Sequence, residues 1–167
     1  DQEPGLIQLA TKELFHRMEA NTQNNYTVKF SYWEMSCDTI TDALAIPDPK
    51  KPQPNLPVRR GPLGAYVPGL TEVTVSTWEE LDEWLMQGNV RRIQLSELRS
   101  ARWHGFIKLS IESYAHDAPE SKTNCSMTFA HIKGQDRVGQ KGAKKDIAKQ
   151  GSNINKSISL LGSAVLH

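Results

Sequence analysis

At 167 residues the chain has the length of one ordinary domain and enough material to bury a sizeable core. Hydrophobic residues at 38%, charged residues at 23% and a mean hydropathy of −0.53 fit a globular chain and exclude the low-complexity and highly charged classes. A net charge of +1 names no partner; no run approaches the ~18 apolar residues of a spanning helix and no basic-then-apolar leader opens the sequence, so no membrane partner is expected.

From Gly5 to Met18 the residues Leu6, Ile7, Leu9, Ala10, Leu14, Phe15 and Met18 recur at helical spacing. Pro4 is tolerated ahead of, or in, a first turn. Tyr26 to Met35 reads as a strand: Val28, Phe30, Tyr32 and Glu34 alternate with Thr27, Lys29, Ser31 and Trp33. Apolar residues on both of its faces point to a place inside a covered sheet. Cys37 stands far from Cys125 without metal-ligand spacing, and both are expected as reduced, buried thiols. Asp38 to Ala45 is expected as a short helix capped by Asp38, with Ile40 and Leu44 facing inward. The prolines at 47, 49, 52, 54 and 57 make the next stretch an irregular, exposed loop.

Short extended segments follow at Val58-Arg59-Arg60, at Ala65-Tyr66-Val67 after a turn at Pro62 to Gly64, and at Glu72 to Val75. Ser76 or Thr77 caps a helix running through Trp78, Leu81, Leu85 and Met86, with Glu79, Glu80 and Asp82 favouring its positive end. Gly88 is expected to end or bend that helix, and a second helical piece to run from Val90 to Leu98. Gly105 to Tyr114 and Asn124 to Ile132 read as two further strands, with Asp117 to Lys122 as their hairpin loop.

The closing stretch places Ile154, Ile158, Leu161 and Val165 on one helical face, with Ser152 or Asn153 able to cap its start. Before it, Lys133, Arg137, Lys141, Lys144, Lys145 and Lys149 outnumber Asp136 and Asp146, a surplus of four positive charges. A docked helix whose entry loop meets something acidic follows from that pattern, and the residues alone leave nucleic-acid phosphate and an acidic protein surface both open.

Asn153-Ile-Asn-Lys-Ser-Ile-Ser-Leu-Leu-Gly162 resembles the Asn-Ile-Asn-Lys-Ser-Leu-Ser-x-Leu-Gly signature of kinesin motor domains. Further matches run in the family's order: Gly5-Leu-Ile-Gln-Leu-Ala with Leu14-Phe15, Val28-Lys-Phe-Ser-Tyr-Trp-Glu-Met, Thr41-Asp-Ala-Leu, Tyr66-Val-Pro-Gly-Leu-Thr-Glu-Val, the helix Trp78 to Asn89, Ser100-Ala-Arg-Trp-His104, His131-Ile-Lys-Gly-Gln-Asp-Arg137, and Lys141-Gly-Ala. The resemblance implies an α/β fold of the P-loop NTPase motor type, a mostly buried sheet flanked by helices. It implies that residues 1–167 form a single partial domain. The family's phosphate loop would precede Asp1, no G-x-x-x-x-G-K-[ST] occurs in this sequence, and the final helices would follow residue 167.

By the same resemblance the cofactors are ATP and Mg2+, the partner is the microtubule, and the location is the cytoplasmic cytoskeleton. Any dimer would form through regions outside this stretch. Ser100, Arg102, Gly134 and Asp136 fall at nucleotide-sensing switch positions; Asp136 stands where the family's glutamate pairs with the Arg102 position and is one methylene shorter, so an ion pair there requires the backbone to close up a little. Ala101, His131 and Gln135 depart from the family's residues there. Ala101 has no oxygen for the metal site, and His131 stands where an aspartate orders water around magnesium, an ion that prefers oxygen ligands. Lys141, Lys144, Lys145 and Lys156 fall on the expected tubulin face, which favours an acidic protein over nucleic acid.

The expectation is a microtubule-binding motor segment with impaired hydrolysis, and the alternative a non-catalytic scaffolding module that kept the tubulin face. Whether the chain is an enzyme stays open at this point. Ordinary structural roles account for the remaining candidates. His131 reads as a strand-end histidine, and His104 and His116 lack metal spacing. Glu112, Asp117 and Glu120 read as solvated carboxylates, and Trp78, Trp84 and Trp103 as packing residues.

Overall fold

The computed structural model describes residues 3–36, 39–46, 48, 50–51, 53–62, 64–95, 103–134 and 155–160. Its centre is strand β1 (Asn24–Ser36), longer at both ends than the alternation predicts. The antiparallel sheet runs β2 (Thr39–Asp42), β1, β6 (His104–Ala115) and β7 (Ala118–His131), and β5 (Val73–Val75) pairs with β1 beside β2. A separate hairpin joins β3 (Arg59–Gly61) to β4 (Gly64–Tyr66). Helices α1 (Leu6–Ala20) and α2 (Trp78–Leu95) cover one face of the sheet.

That face is built by the period of two. Val28, Phe30 and Tyr32 of β1 and Ile107, Leu109 and Ile111 of β6 meet Phe15 of α1 and Leu81 and Leu85 of α2 in one cluster. Phe30 and Leu109 are wholly buried, each worth about 1.5–3 kcal/mol of transfer free energy. On the opposite face Trp33 stacks on Phe106 with ring centroids 5.5 Å apart, as both-sided burial of β1 requires. The sheet is less covered than expected at β7, where residues 119 to 128 are all exposed.

Local chemistry sets the helix ends. The Gly5 N–H donates to Gln8 Oε1 (3.0 Å), and Gln8 Nε2 donates to Asp82 Oδ1 (2.9 Å), tying the start of α1 to α2. Thr77 Oγ1 accepts from the Glu80 N–H (3.2 Å) while Glu80 Oε2 accepts from the Ser76 N–H (2.7 Å), a reciprocal cap that explains where α2 starts.

Several expectations are corrected. Residues 39–42 form strand β2 rather than part of a helix; Thr39, Ile40 and Thr41 are β-branched and suit a pleated ladder. Asp42, the buried last residue of β2, accepts the N–H groups of Leu44 (2.8 Å) and Ala45 (3.2 Å) in the turn that follows with one oxygen and that of Thr71 (2.6 Å) with the other. That side chain draws off the donors a helix would have used. Nor does α2 stop or split at Gly88; it continues to Leu95, and the glycine serves a close approach to Tyr32.

The β6–β7 turn spans only residues 116 and 117. β7 already starts at Ala118, so Pro119 lies in an outermost strand among the described residues, where a missing N–H is tolerated. Cys125, in the same strand, is exposed rather than buried, and Cys37 lies outside the described residues. Residues 155–160 are helical, as the closing apolar spacing predicts, with Lys156 exposed and Ile158 half-buried.

Candidate functional site

Four elements converge at the open end of the β6–β7 hairpin. Tyr32 and Glu34 come from β1, Asn89 and Arg92 from one side of α2, His104 and Gly105 from the start of β6, and His131 from the last position of β7. Glu34 is in phase with Val28, Phe30 and Tyr32, so the strand's own alternation carries a carboxylate into the core at 1% exposure. Arg92 answers it, Nε donating to Glu34 Oε1 at 2.6 Å, and its Nη1 donates to the Tyr32 hydroxyl. Tyr32 in turn donates to Asn89 Oδ1 at 2.8 Å. Asn89 and Arg92 are three apart on α2, which puts both over the same ring.

Gly105 lets the strand approach this ion pair, because a Cβ there would stand 3.1 Å from Arg92 Nη1. Its register partner across the ladder is His131. One residue earlier, buried His104 accepts the Lys133 backbone N–H at Nδ1 (3.1 Å), which places the neutral ring's proton on Nε2. The chain leaving β7 is thus fastened to the chain entering β6. A cleft of about 870 Å³ opens beside this corner, walled by Ile7, Leu85, Met86, Ile107 and Phe129, with Arg92 and His131 also in its lining.

The corner is cation-rich. Burial first, and then Lys133 and His131, hold the His104 imidazole below its ordinary 6.5. Partial burial, Lys133 and Arg92 pull His131 down in the same way. The Lys133 ammonium also falls below its ordinary value, by burial and then by Arg92, with Glu34 acting weakly against them. The Tyr32 hydroxyl is pushed up by burial.

Of the switch-position and tubulin-facing residues that the resemblance named, His131, Gly134 and Lys156 are described. His131 ends β7 as a strand-end histidine, Gly134 is exposed three residues on with nothing within 4 Å of where a Cβ would stand, and Lys156 is exposed on the helical stretch. Ser100, Ala101, Arg102, Gln135, Asp136, Lys141, Lys144 and Lys145 lie outside the described residues. Arg92, His104 and Lys133 were not singled out as site residues, although a carboxylate in phase with an apolar strand face was a signal that a buried cation must answer it. Glu112 meets Lys122 Nζ at 2.8 Å on the exposed hairpin, as a solvated carboxylate does, and Trp78 and Trp84 pack against the core.

The described residues of the corner do not by themselves fit Mg2+. Among the described residues no three His, Cys, Asp or Glu side chains gather as a metal site. The described carboxylate at this corner, Glu34, is buried against Arg92, and the described groups at the strand ends are imidazole and ammonium, whereas magnesium takes oxygen ligands in octahedral geometry.

Comparison with known proteins agrees with the fold. The kinesin motor domain family description matches residues 1–167. Kinesin-like protein KIF1A of Rattus norvegicus is 31% identical over 170 residues, covering 96% of this chain and 10% of its own length. Kinesin-like protein KIF13B of Homo sapiens is 31% identical over 170 residues, covering 96% of this chain and 9% of its own. Among solved structures, a fast kinesin superposes with a TM-score of 0.77 at 29% identity, over 95% of this chain and 44% of that one. A KIF14 dimer bound to a microtubule with AMP-PNP reaches a TM-score of 0.82 at 24% identity, over 97% of this chain and 48% of that one, a likeness of fold. The chain therefore spans about a tenth of these curated relatives and just under half of the solved chains.

Proposed function

Because the chain belongs to the kinesin motor-domain family, we propose that residues 1–167 are the middle of a microtubule-binding motor domain, placed after its phosphate loop and running into its tubulin-facing helix. Kinesin motor domains use ATP and Mg2+, and the relatives' microtubule complexes set the expected partner and a cytoskeletal, cytoplasmic location. One observation carries this reading. The segment before β6 and the segment after β7, which hold the two switch motifs in the sequence, enter and leave one corner and are bonded there through His104 and Lys133. Lys141, Lys144, Lys145 and Lys156 are the proposed contacts to acidic tubulin, and Ser100, Arg102, Gly134 and Asp136 the proposed nucleotide-sensing positions.

A second reading has its own support: the cationic corner around His131, together with Ala101, favours a module that binds microtubules without efficient hydrolysis. Microtubule co-sedimentation of the full-length protein, across a salt series with and without ATP, separates the two. Pelleting that weakens with salt and with ATP supports a working motor. Salt-sensitive pelleting indifferent to ATP supports the non-catalytic module. Absence of pelleting at low salt by folded protein refutes the tubulin assignment for these lysines.

A further inference from the structure

The stretch between β2 and β3 has a burial pattern that belongs to neither regular element. Gln53 and Leu56 are half-buried, while Pro54, Asn55, Pro57 and Val58 are exposed. A repeat of three is the period of neither a strand nor an α-helix; it is that of polyproline II, a left-handed helix with about three residues per turn. The composition favours this conformation. Pro54 and Pro57 hold their own φ at about −65°, and each pushes the residue before it, Gln53 or Leu56, into extended backbone.

One side of this ridge is fastened to the sheet. Gln53 Nε2 donates to the Asp42 carbonyl oxygen (3.2 Å), the Leu56 N–H donates to the Ile40 carbonyl oxygen (2.9 Å), and Asn55 Oδ1 accepts the Ile40 N–H (2.8 Å). Both main-chain groups of Ile40, on a strand that is outermost among the described residues, are taken up in this way. Downstream, Arg59 opens β3 and pairs with Tyr66 across the hairpin. Held by β2 on one side and by the hairpin beyond it, the segment presents Pro54 and Pro57 one turn apart on its free side, with exposed Arg59 two residues further on.

A prolyl nitrogen carries no hydrogen, so the free side offers ring faces and carbonyl acceptors but no donor at either proline. The groove that suits it is lined with aromatic rings, which take the proline faces, and a carboxylate pocket beyond it takes the guanidinium. An acidic surface alone would use Arg59 and leave the proline spacing without a role. Because the segment is already held, docking forfeits less conformational freedom than it would for a loose peptide. We propose that Pro54-Asn-Leu-Pro57-Val-Arg59 docks a proline-reading domain of the SH3 class, with Pro54 and Pro57 in the aromatic groove and Arg59 in an acidic pocket at its end. The proposal goes beyond the motor reading and does not depend on it.

The test is calorimetric titration of the full-length protein with a panel of purified SH3 domains selective for Pro-x-x-Pro-x-Arg ligands. The expected result is saturable binding by at least one of them, weakened about tenfold or more both by the double change Pro54→Ala with Pro57→Ala and by Arg59→Glu, the scale of one lost anchor. A peptide of residues 51–60 is expected to displace the protein, and the same peptide with both prolines replaced by alanine to leave it bound. Binding by no member of the panel overturns the proposal. So does affinity unchanged in the double proline variant, since loss in Arg59→Glu alone is charge attraction without proline recognition. Binding of the peptide but not of the folded protein means that the fastened side occludes the ligand, and overturns it too. If the double variant does not fold, the pair of peptides decides. Co-sedimentation is read separately: microtubule pelleting lost in Arg59→Glu, with no SH3 binding, would give this arginine to tubulin and overturn the proposal while leaving the motor reading intact.

Discussion

Replacing Gly88 by alanine puts two general rules in opposition. In the middle of an 18-residue helix, glycine to alanine should stabilise by about 1 kcal/mol, because alanine loses less backbone freedom on folding. At this position, however, the new methyl group would overlap Tyr32 Cδ1 and stand 2.8 Å from Cε1, with Leu44 Cδ2 at 3.5 Å behind it. The ring cannot retreat easily: it is 2% exposed, and its hydroxyl is held by Asn89 and Arg92. Overpacking at such a site costs roughly 2–3 kcal/mol. Net destabilisation of about 1–2 kcal/mol follows, which for a chain of this size lowers Tm by roughly 2–8 °C. Chemical denaturation of Gly88→Ala alone and in a Tyr32→Leu background completes a cycle. With the ring gone the same substitution should become neutral or stabilising by up to about 1 kcal/mol, a coupling of roughly 2 kcal/mol. A Gly88→Ala chain more stable than the parent, or an equal cost in both backgrounds, would refute the steric account and return Gly88 to an ordinary helix glycine.

Two further outcomes concern the corner itself. Arg92→Leu strips the guanidinium from buried Glu34 and should cost about 3–5 kcal/mol in denaturant unfolding; adding Glu34→Gln should recover part of that loss, and a single-variant cost under about 1 kcal/mol would contradict the buried pairing. His104 is neutral in the folded chain with its imidazole below the ordinary 6.5, so its contribution to stability is complete above that value and is lost as pH falls from there toward the folded-state value, at up to about 1.4 kcal/mol per pH unit. Stability compared at pH 7.5 and 5.5 should show this loss in the parent and a smaller one in His104→Asn, whose amide oxygen can stand in for Nδ1; identical pH dependence would rule the histidine out.

Where local pattern and tertiary demand agree, the sequence is a good guide. The alternation at Val28, Phe30 and Tyr32 locates β1, Thr77 and Glu80 mark the start of α2, and His131 is indeed a strand end. The misreadings share one cause, a contact remote in sequence. Asp38 to Ala45 carries helix-like spacing, but Asp42 reaches Thr71, 29 residues on, and stabilises a turn instead. Gly88 looks like a helix breaker until the Tyr32 ring is seen against it. The Arg92–Glu34 bond spans 58 residues, so only the odd carboxylate in an apolar phase hinted at it. Pro119 suggested a loop because an outermost strand cannot be told from a turn by composition. The kinesin resemblance rested on motif order, which survives single-site changes such as His131 and therefore remained readable where individual chemistry had drifted.

The hairpin that carries the candidate site also has a mechanical asymmetry. β6 and β7 are joined covalently at residues 116–117 and are open at Gly105–His131. Tension that separates residues 103 and 132 would open the ladder from that end, one pair at a time, beginning beside the Arg92 guanidinium. Sliding β6 along β1 is another matter, since twelve register pairs from Asn24–Ala115 to Met35–His104 must shift together. Once the His104–Lys133 bond gives, the corner therefore yields to prying and resists shear, so a pull on either neighbouring segment opens this end of the hairpin while the rest of the sheet keeps its register.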